Sequence, residues 1–227
     1  MGETKRKRVG LFGGTFDPIH FGHLRAAEEI WQILKLDKIV FIPSAAPPHK
    51  ENSNISSSDD RLEMIRLAIS STSYFEISQY ELNSGKPSYT INTLEHFTKT
   101  EPDTEFYFIL GNELFNHIDT WEDYERLFQL TNFAVITRPG FSQEGNNKVP
   151  LALKEDFRYH NGIENVISYT NQATGKDIVF IEIKGIEISS TDIRAFVKSK
   201  QSIKYLLPHN VEKYILSEKL YFGEASQ

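Results

Sequence analysis

Cysteine does not occur in this chain of 227 residues. Its absence excludes disulfides and thiolate-bound metal, and the cytoplasm is the compartment to expect. No apolar run nears the roughly 20 residues that cross a bilayer as a helix, so no membrane partner is expected. The basic cluster Lys5-Arg6-Lys7-Arg8 precedes only a short apolar stretch; it lacks the longer core of a signal peptide and reads as a solvated tail. Positive charge is not in excess either: 25 Lys and Arg stand against 31 Asp and Glu, a formal net charge of −6. Proteins that grip long nucleic acid show a basic face; none is visible, so nucleic acid is not an expected partner. An anionic ligand must instead be held by a few donors focused in a cleft. What is present, 39% hydrophobic and 12% aromatic residues, suffices at this length for one full core.

Short apolar runs alternate with helical patterns. Strands are expected near Val9–Phe12, Ile39–Ile42, Phe75–Ser78, Phe106–Leu110, Phe133–Thr137 and Val179–Ile183. Helices are expected near Gly22–Lys35, Asp59–Ser70, Tyr89–Thr98, Tyr124–Gln129, Thr191–Lys198 and Asn210–Ser217. The alternation predicts an α/β fold, doubly wound around a mainly parallel sheet. Residues 1–227 read as a single domain, with a core over about 8–185 and a small C-terminal helical part over about 186–220. Lys50–Ser58 and Pro139–Val149 read as loops, and Tyr159–Lys176 carries no periodic signal.

The most informative stretch is GGTFDPIHFGHL, residues 13–24. It begins where the first strand ends and finishes where a helix opens with Leu24, Ala27, Ile30, Trp31 and Leu34 on one face. Gly13 and Gly14 allow a ligand to approach the backbone. The helix start behind them offers unpaired N–H groups and the positive end of a macrodipole, which suits phosphate. His20 and His23, three residues apart, carry both imidazoles towards one ligand. A zinc pair would need a third ligand; Asp17 is near, but it precedes the helix and reads as its cap. A second signal is Ile188-Ser189-Ser190-Thr191-Asp192-Ile193-Arg194. Hydroxyls after a strand followed by an acid describe a capped helix. Arg194 on its first turn adds a fork suited to phosphate, making a second anion cradle opposite the first.

The GGTFDP-H-GH start and the ISST-IR finish resemble the nucleotidyltransferase superfamily with the HxGH signature. Further matches resemble the bacterial nicotinate mononucleotide adenylyltransferases in particular: Ile42-Pro43, Pro47-Pro48-His49-Lys50, Pro87-Ser88-Tyr89-Thr90, Trp121, Arg138-Pro139 and Tyr205-Leu206-Leu207-Pro208. The resemblance runs from about Val9 to Leu220 and implies a Rossmann-like nucleotidyltransferase topology. It also implies transfer of an adenylyl group from ATP to nicotinate mononucleotide with Mg2+, by direct in-line attack, giving deamido-NAD and pyrophosphate. Its expected partners are these small molecules, with self-association left open. By resemblance His20 and His23 contact the ATP phosphates, while Ser189, Ser190, Thr191 and Arg194 hold the departing pyrophosphate. Gly13, Gly14, Thr15 and Phe16 line the nucleotide channel, with Gly111 and Glu113 also on the ATP side. On the mononucleotide side stand Ser44, His49, Lys50, Tyr89, Thr90, Trp121 and Arg138. His49 and Lys50 take its phosphate, Trp121 stacks on the pyridine ring, and Thr90 with neighbouring N–H groups binds the carboxylate.

Three positions depart from the family pattern. Glu113 replaces an aspartate in Gly111-Asn112-Glu113, Ser44 stands where asparagine is common, and Lys204 replaces an arginine. Other readings fit less well. Phosphopantetheine adenylyltransferases and glycerol-phosphate cytidylyltransferases are generally shorter and lack the PPHK, PSYT and Trp series. An aminoacyl-tRNA synthetase would bring an anticodon module and a KMSK-like loop. A non-catalytic nucleotide sensor would be expected to lose a histidine or Arg194.

Overall fold

Alternation decides the first strand: Val9 and Leu11 enter one core, Phe12 the other. This computed structural model describes residues 6–45, 55–85, 87–137, 149, 154–163 and 166–222. In chain order the strands are β1 (Lys7–Gly14), β2 (Lys38–Pro43), β3 (Phe75–Ile77), β4 (Thr104–Gly111), β5 (Asn132–Thr137), β6 (Phe157–Ile163), β7 (Val166–Asn171) and β8 (Asp177–Glu182). They form one sheet in the order β3-β2-β1-β4-β5-β8-β7-β6. From β3 to β8 every neighbouring pair is parallel, and β6-β7 and β7-β8 are antiparallel.

Helices cover both faces. The first face carries α1 (Phe21–Ile33), α2 (Ser58–Ile69), α7 (Ser190–Lys198) and α8 (His209–Ser217), which bury Ile30, Ile65, Val197 and Ile215 in a common core. The second carries α4 (Thr90–Thr100), α5 (Asn112–Phe115), a 3-10 turn at Ile118–Thr120 and α6 (Tyr124–Leu130). Here the packing is aromatic: Phe115 meets Phe180 edge-on at 5.4 Å and Phe128 lies 4.5 Å from Phe133. Each such ring or branched aliphatic chain contributes roughly 1.5–3 kcal/mol by leaving water. One short helix, α3 (Tyr80–Asn83), joins β3 to the segment before α4.

All six expected strands and all six expected helices are present. The hairpin β6-β7 is an addition within the stretch without periodic signal. Its residues 166–170 are all half-buried, so neither face produces an apolar alternation. A register shift between Tyr159 and Asn161 interrupts the pattern further. The basic cluster also differs from a solvated tail at Arg8. Its guanidinium reaches the Leu34 carbonyl and the Tyr107 hydroxyl and pairs with Glu105 at 3.2 Å. The remaining consequence for function is topological. The chain leaves β1 in one direction for β2 and returns to its other side as β4, and a ligand crevice opens beyond the carboxyl ends at such a reversal.

Candidate active site

Gly13 and Gly14 at the end of β1, Gly111 at the end of β4 and Thr137 at the end of β5 border a cavity of about 840 Å³. That volume suits a nucleotide-sized ligand. Phe16, His20, His23, Glu113, Ser189 and Ser190 line it too, so both sequence motifs and the β4 end share one crevice. Thr15, Thr191 and Arg194 are not on its wall; of these, Arg194 and the Thr15 carbonyl make bonds that join separate elements around it.

His20 occupies the N-cap position of α1 with extended backbone and no side-chain cap bond. His23 follows in the first turn, and the two rings stack with centroids 3.8 Å apart. Both Nδ1 atoms are buried and find no hydrogen-bond partner among the described residues. Burial lowers the His20 pKa to about 4. Burial, and then repulsion from His20, holds His23 well below the ordinary imidazole range. The rings of Phe16 and Phe12, at 5.1 and 6.3 Å, complete its apolar surroundings. Both imidazoles are therefore neutral in the free protein near pH 7, and an arriving polyphosphate favours their charged form. Gly22 between them has a steric reason. A β-carbon there would lie 2.9 Å from the His20 Nδ1 and 3.1 Å from the Ile186 carbonyl oxygen.

The two motifs are bonded to each other. Ser190 Oγ donates to the Pro18 carbonyl at 2.9 Å, and Arg194 Nη1 donates to the Asp17 carbonyl at 2.6 Å. Arg194 Nη2 donates to Thr191 Oγ1 at 3.3 Å, so part of the fork is engaged within the protein. Ser189 caps α7 as expected, accepting from the Asp192 N–H at 3.1 Å. Asp17, in contrast, does not cap α1. Its carboxylate is turned away and accepts the Tyr221 hydroxyl at 2.6 Å, with the Ser56 N–H at 3.4 Å. Gly14 likewise serves internal packing, because a β-carbon on it would meet the Phe16 ring at 2.9 Å.

Arg61 was not singled out by its sequence, yet it is 1% exposed beneath the site. It donates to the carbonyls of Thr15 (3.0 Å), Ser44 (2.7 Å) and Ser56 (3.2 Å), tying the ends of β1 and β2 together. The available signal was a cation on the apolar face of α2, in line with Met64 and Ile65. Tyr221 gave no signal, since its partner lies 204 positions away.

Of the mononucleotide-side candidates, Ser44 is nearest: its N–H donates to the Gly14 carbonyl at 3.0 Å, and its buried Oγ has no partner among the described residues. The Ala45 N–H donates to Ser88 Oγ at 2.9 Å, which brings the segment before α4 to the end of β2. Tyr89 is the N-cap of α4 and Thr90 its first residue. Tyr89 borders a separate cavity of about 300 Å³ between α3 and α4, so it is not brought onto the histidine crevice. Trp121 lies edge-on to Phe108 at 6.3 Å and borders neither cavity. Phe108 in turn lies 3.4 Å from the β-carbon position of Gly13. Lys204 directs its ammonium over Tyr205, at 5.2 Å. His49, Lys50 and Arg138 lie outside the described residues. Among the described residues no group of three His, Asp or Glu side chains could hold a metal, and no helix is long and apolar enough to cross a membrane.

Comparison with known proteins agrees with this architecture. The model of the family described as cytidylyltransferase-like matches residues 11–196. A protein of Desulfatibacillum aliphaticivorans named "Probable nicotinate-nucleotide adenylyltransferase" is 41% identical over 94% of this chain and 99% of its own. A Bacillus cytotoxicus protein of the same name is 38% identical over 95% and 98%. Among solved structures, Plasmodium falciparum nicotinic acid mononucleotide adenylyltransferase complexed with NaAD superposes with a TM-score of 0.71 at 21% identity, covering 95% of this chain and 97% of that one.

Proposed function

The chain belongs to the cytidylyltransferase-like family and, within it, to the nicotinate-nucleotide adenylyltransferases, and on that premise we propose how its residues divide the work. The reaction is adenylyl transfer in NAD biosynthesis, from ATP to nicotinate mononucleotide. In our reading a phosphate oxygen of the mononucleotide forms a bond to the α-phosphorus of ATP. The bond from that phosphorus to the β-bridging oxygen breaks, and pyrophosphate leaves with the electron pair. A phosphate monoester is already an adequate nucleophile, so the protein's task is alignment and charge neutralisation.

The observation that carries this reading is the joining of the two motifs around one crevice through Ser190 to Pro18 and Arg194 to Asp17. His20 and His23 meet the triphosphate and gain charge as it arrives. Ser189, Ser190, Thr191 and Arg194 receive the departing pyrophosphate at the start of α7, with Arg194 partly pre-oriented by its protein contacts. Gly13, Gly14, Thr15 and Phe16, with Gly111 and Glu113, form the nucleotide side. On the other side Ser44, His49, Lys50, Tyr89, Thr90, Trp121 and Arg138 bind the mononucleotide, its product relation supported by the NaAD complex of the Plasmodium falciparum neighbour. Mg2+ fits as a companion of ATP, because it is commonly held by substrate phosphates, water and at most one or two carboxylates. When bound it offsets phosphate charge. The protein works in the cytoplasm as a single domain without nucleic acid or membrane.

Two measurements test this. His20→Ala should lower kcat at least about a hundredfold with the fold retained by circular dichroism, as loss of a charge-stabilising donor typically does. Near-normal turnover would remove His20 from the chemistry. Pyrophosphate release should be strong with the mononucleotide acid and much weaker with its amide, which presents a donor to the donors around Thr90. Equal turnover of both would reject that carboxylate site.

A further inference from the structure

Glu29 lies on α1, six residues beyond His23, and is only 7% exposed. One of its carboxylate oxygens accepts from Arg25 Nε at 2.7 Å. The other accepts the backbone N–H of Lys184 at 3.0 Å, across 155 positions of chain. That amide occupies a particular place. The preceding residue, Ile183, is the first beyond β8 and donates its N–H to the Thr137 carbonyl at the end of β5, and Lys184 follows it in the linker between β8 and α7. Sheet pairing has run out there, and a buried side chain takes over from it. Directly afterwards Gly185 turns the backbone with φ of +46°, a conformation that favours glycine. The turn delivers the Ile186 carbonyl to the face of α1 at Gly22, where even a β-carbon would approach it within 3.1 Å. Residues 184–188 then form a wall of the crevice beside His20 and continue into Ser189.

We infer that Glu29 is a positioning residue for ATP: through the Lys184 amide it fixes the linker that walls the nucleotide crevice and leads into the Ser189–Arg194 turn. The inference rests on the reading that this crevice takes ATP. Glu29 touches no reacting atom. Its effect belongs to nucleotide affinity, because Glu29 holds the linker at Lys184, which lines the nucleotide crevice, whereas Tyr89 and Trp121 do not line that crevice.

The test compares Glu29→Ala, Glu29→Gln, Arg25→Ala and Gly22→Ala by steady-state kinetics in each substrate and by calorimetric titration with ATP and Mg2+. Glu29→Ala should raise the KM for ATP about tenfold, the worth of one such bond, and leave the KM for the mononucleotide within about twofold. Glu29→Gln keeps an oxygen for Lys184 and should recover to within about threefold of the wild type. Arg25→Ala removes only the ion pair and should leave both KM values unchanged. Equal changes in both KM values, or none, would overturn the inference, as would Gln no better than Ala or Arg25→Ala matching Glu29→Ala. Should Glu29→Ala fail to fold, Glu29→Asp replaces it: the shorter side chain keeps the charge but not the reach, so Asp should be worse than Gln for ATP. Asp equal to or better than Gln would reject the role. Gly22→Ala separates the two levels. Unchanged ATP affinity in that variant would refute the crevice as the ATP site, whereas weakened affinity there beside normal Glu29 variants refutes Glu29 alone.

Discussion

At the scale of single residues, the histidine pair joins stability to ligand binding. His20 has a pKa of about 4 in the folded protein against an ordinary 6.5, because it is buried. Between those values the unfolded chain holds the extra proton, so stability rises with pH through the window and is fully present above 6.5. The difference is worth about 3 kcal/mol at most. Ligand charge acts in the opposite direction on the same atoms. NMR titration of the imidazole ring signals should show both rings neutral at pH 6 in the free protein and cationic once ATP and Mg2+ are added. Rings that stay neutral in the complex would mean the phosphates lie elsewhere. Arg61 shows the converse economy, a permanent charge serving three backbone carbonyls and the Ser58 hydroxyl. Arg61→Met keeps much of the volume but abandons the Thr15, Ser44 and Ser56 oxygens. Urea unfolding should show a loss of about 3 kcal/mol, the scale of buried acceptors left unpaired.

At the scale of elements, legibility followed periodicity. The strands of the parallel core are buried on both sides, so runs such as Phe106–Leu110 and Phe133–Thr137 announce themselves without any knowledge of their partners. α1 and α7 announce themselves by one apolar face and, for α7, by the Ser189 cap. The β6-β7 hairpin offered neither signal, since half-burial along 166–170 carries no alternation. Candidate site residues were legible where a local motif dictates residue type, as in the Ser189–Thr191 turn, where Ser189 caps α7. They were not legible where a side chain acts across the fold. Glu28 and Glu29 are adjacent identical letters, yet the first bonds Tyr74 near the surface and the second is buried against Lys184. Asp17 fits a helix cap by its spacing, but Tyr221 claims its carboxylate. No local pattern distinguishes such cases.

At the scale of the whole molecule, the C-terminal segment belongs to the site's framework. Ile203, Leu207, Val211 and Ile215 share the core that holds α1, and Tyr221 completes it by donating to Asp17. Burial, then the neighbouring Asp17 carboxylate, raises the Tyr221 pKa, so the hydroxyl keeps its proton and remains a donor. Tyr221→Phe should destabilise the protein by about 2 kcal/mol, lowering Tm by roughly 5 °C, because the Asp17 carboxylate, 2% exposed, loses its short bond. A calorimetric Tm unchanged from wild type would show that Asp17 finds a substitute.

The crevice is walled by segments far apart in the sequence, with Gly13 to His23 on one side and Lys184 to Ser190 on the other. During synthesis the histidine motif leaves the ribosome early, but its opposite wall emerges some 160 residues later, after every strand of the sheet. A product that ends before Lys184 therefore carries the signature motif without the wall that faces it.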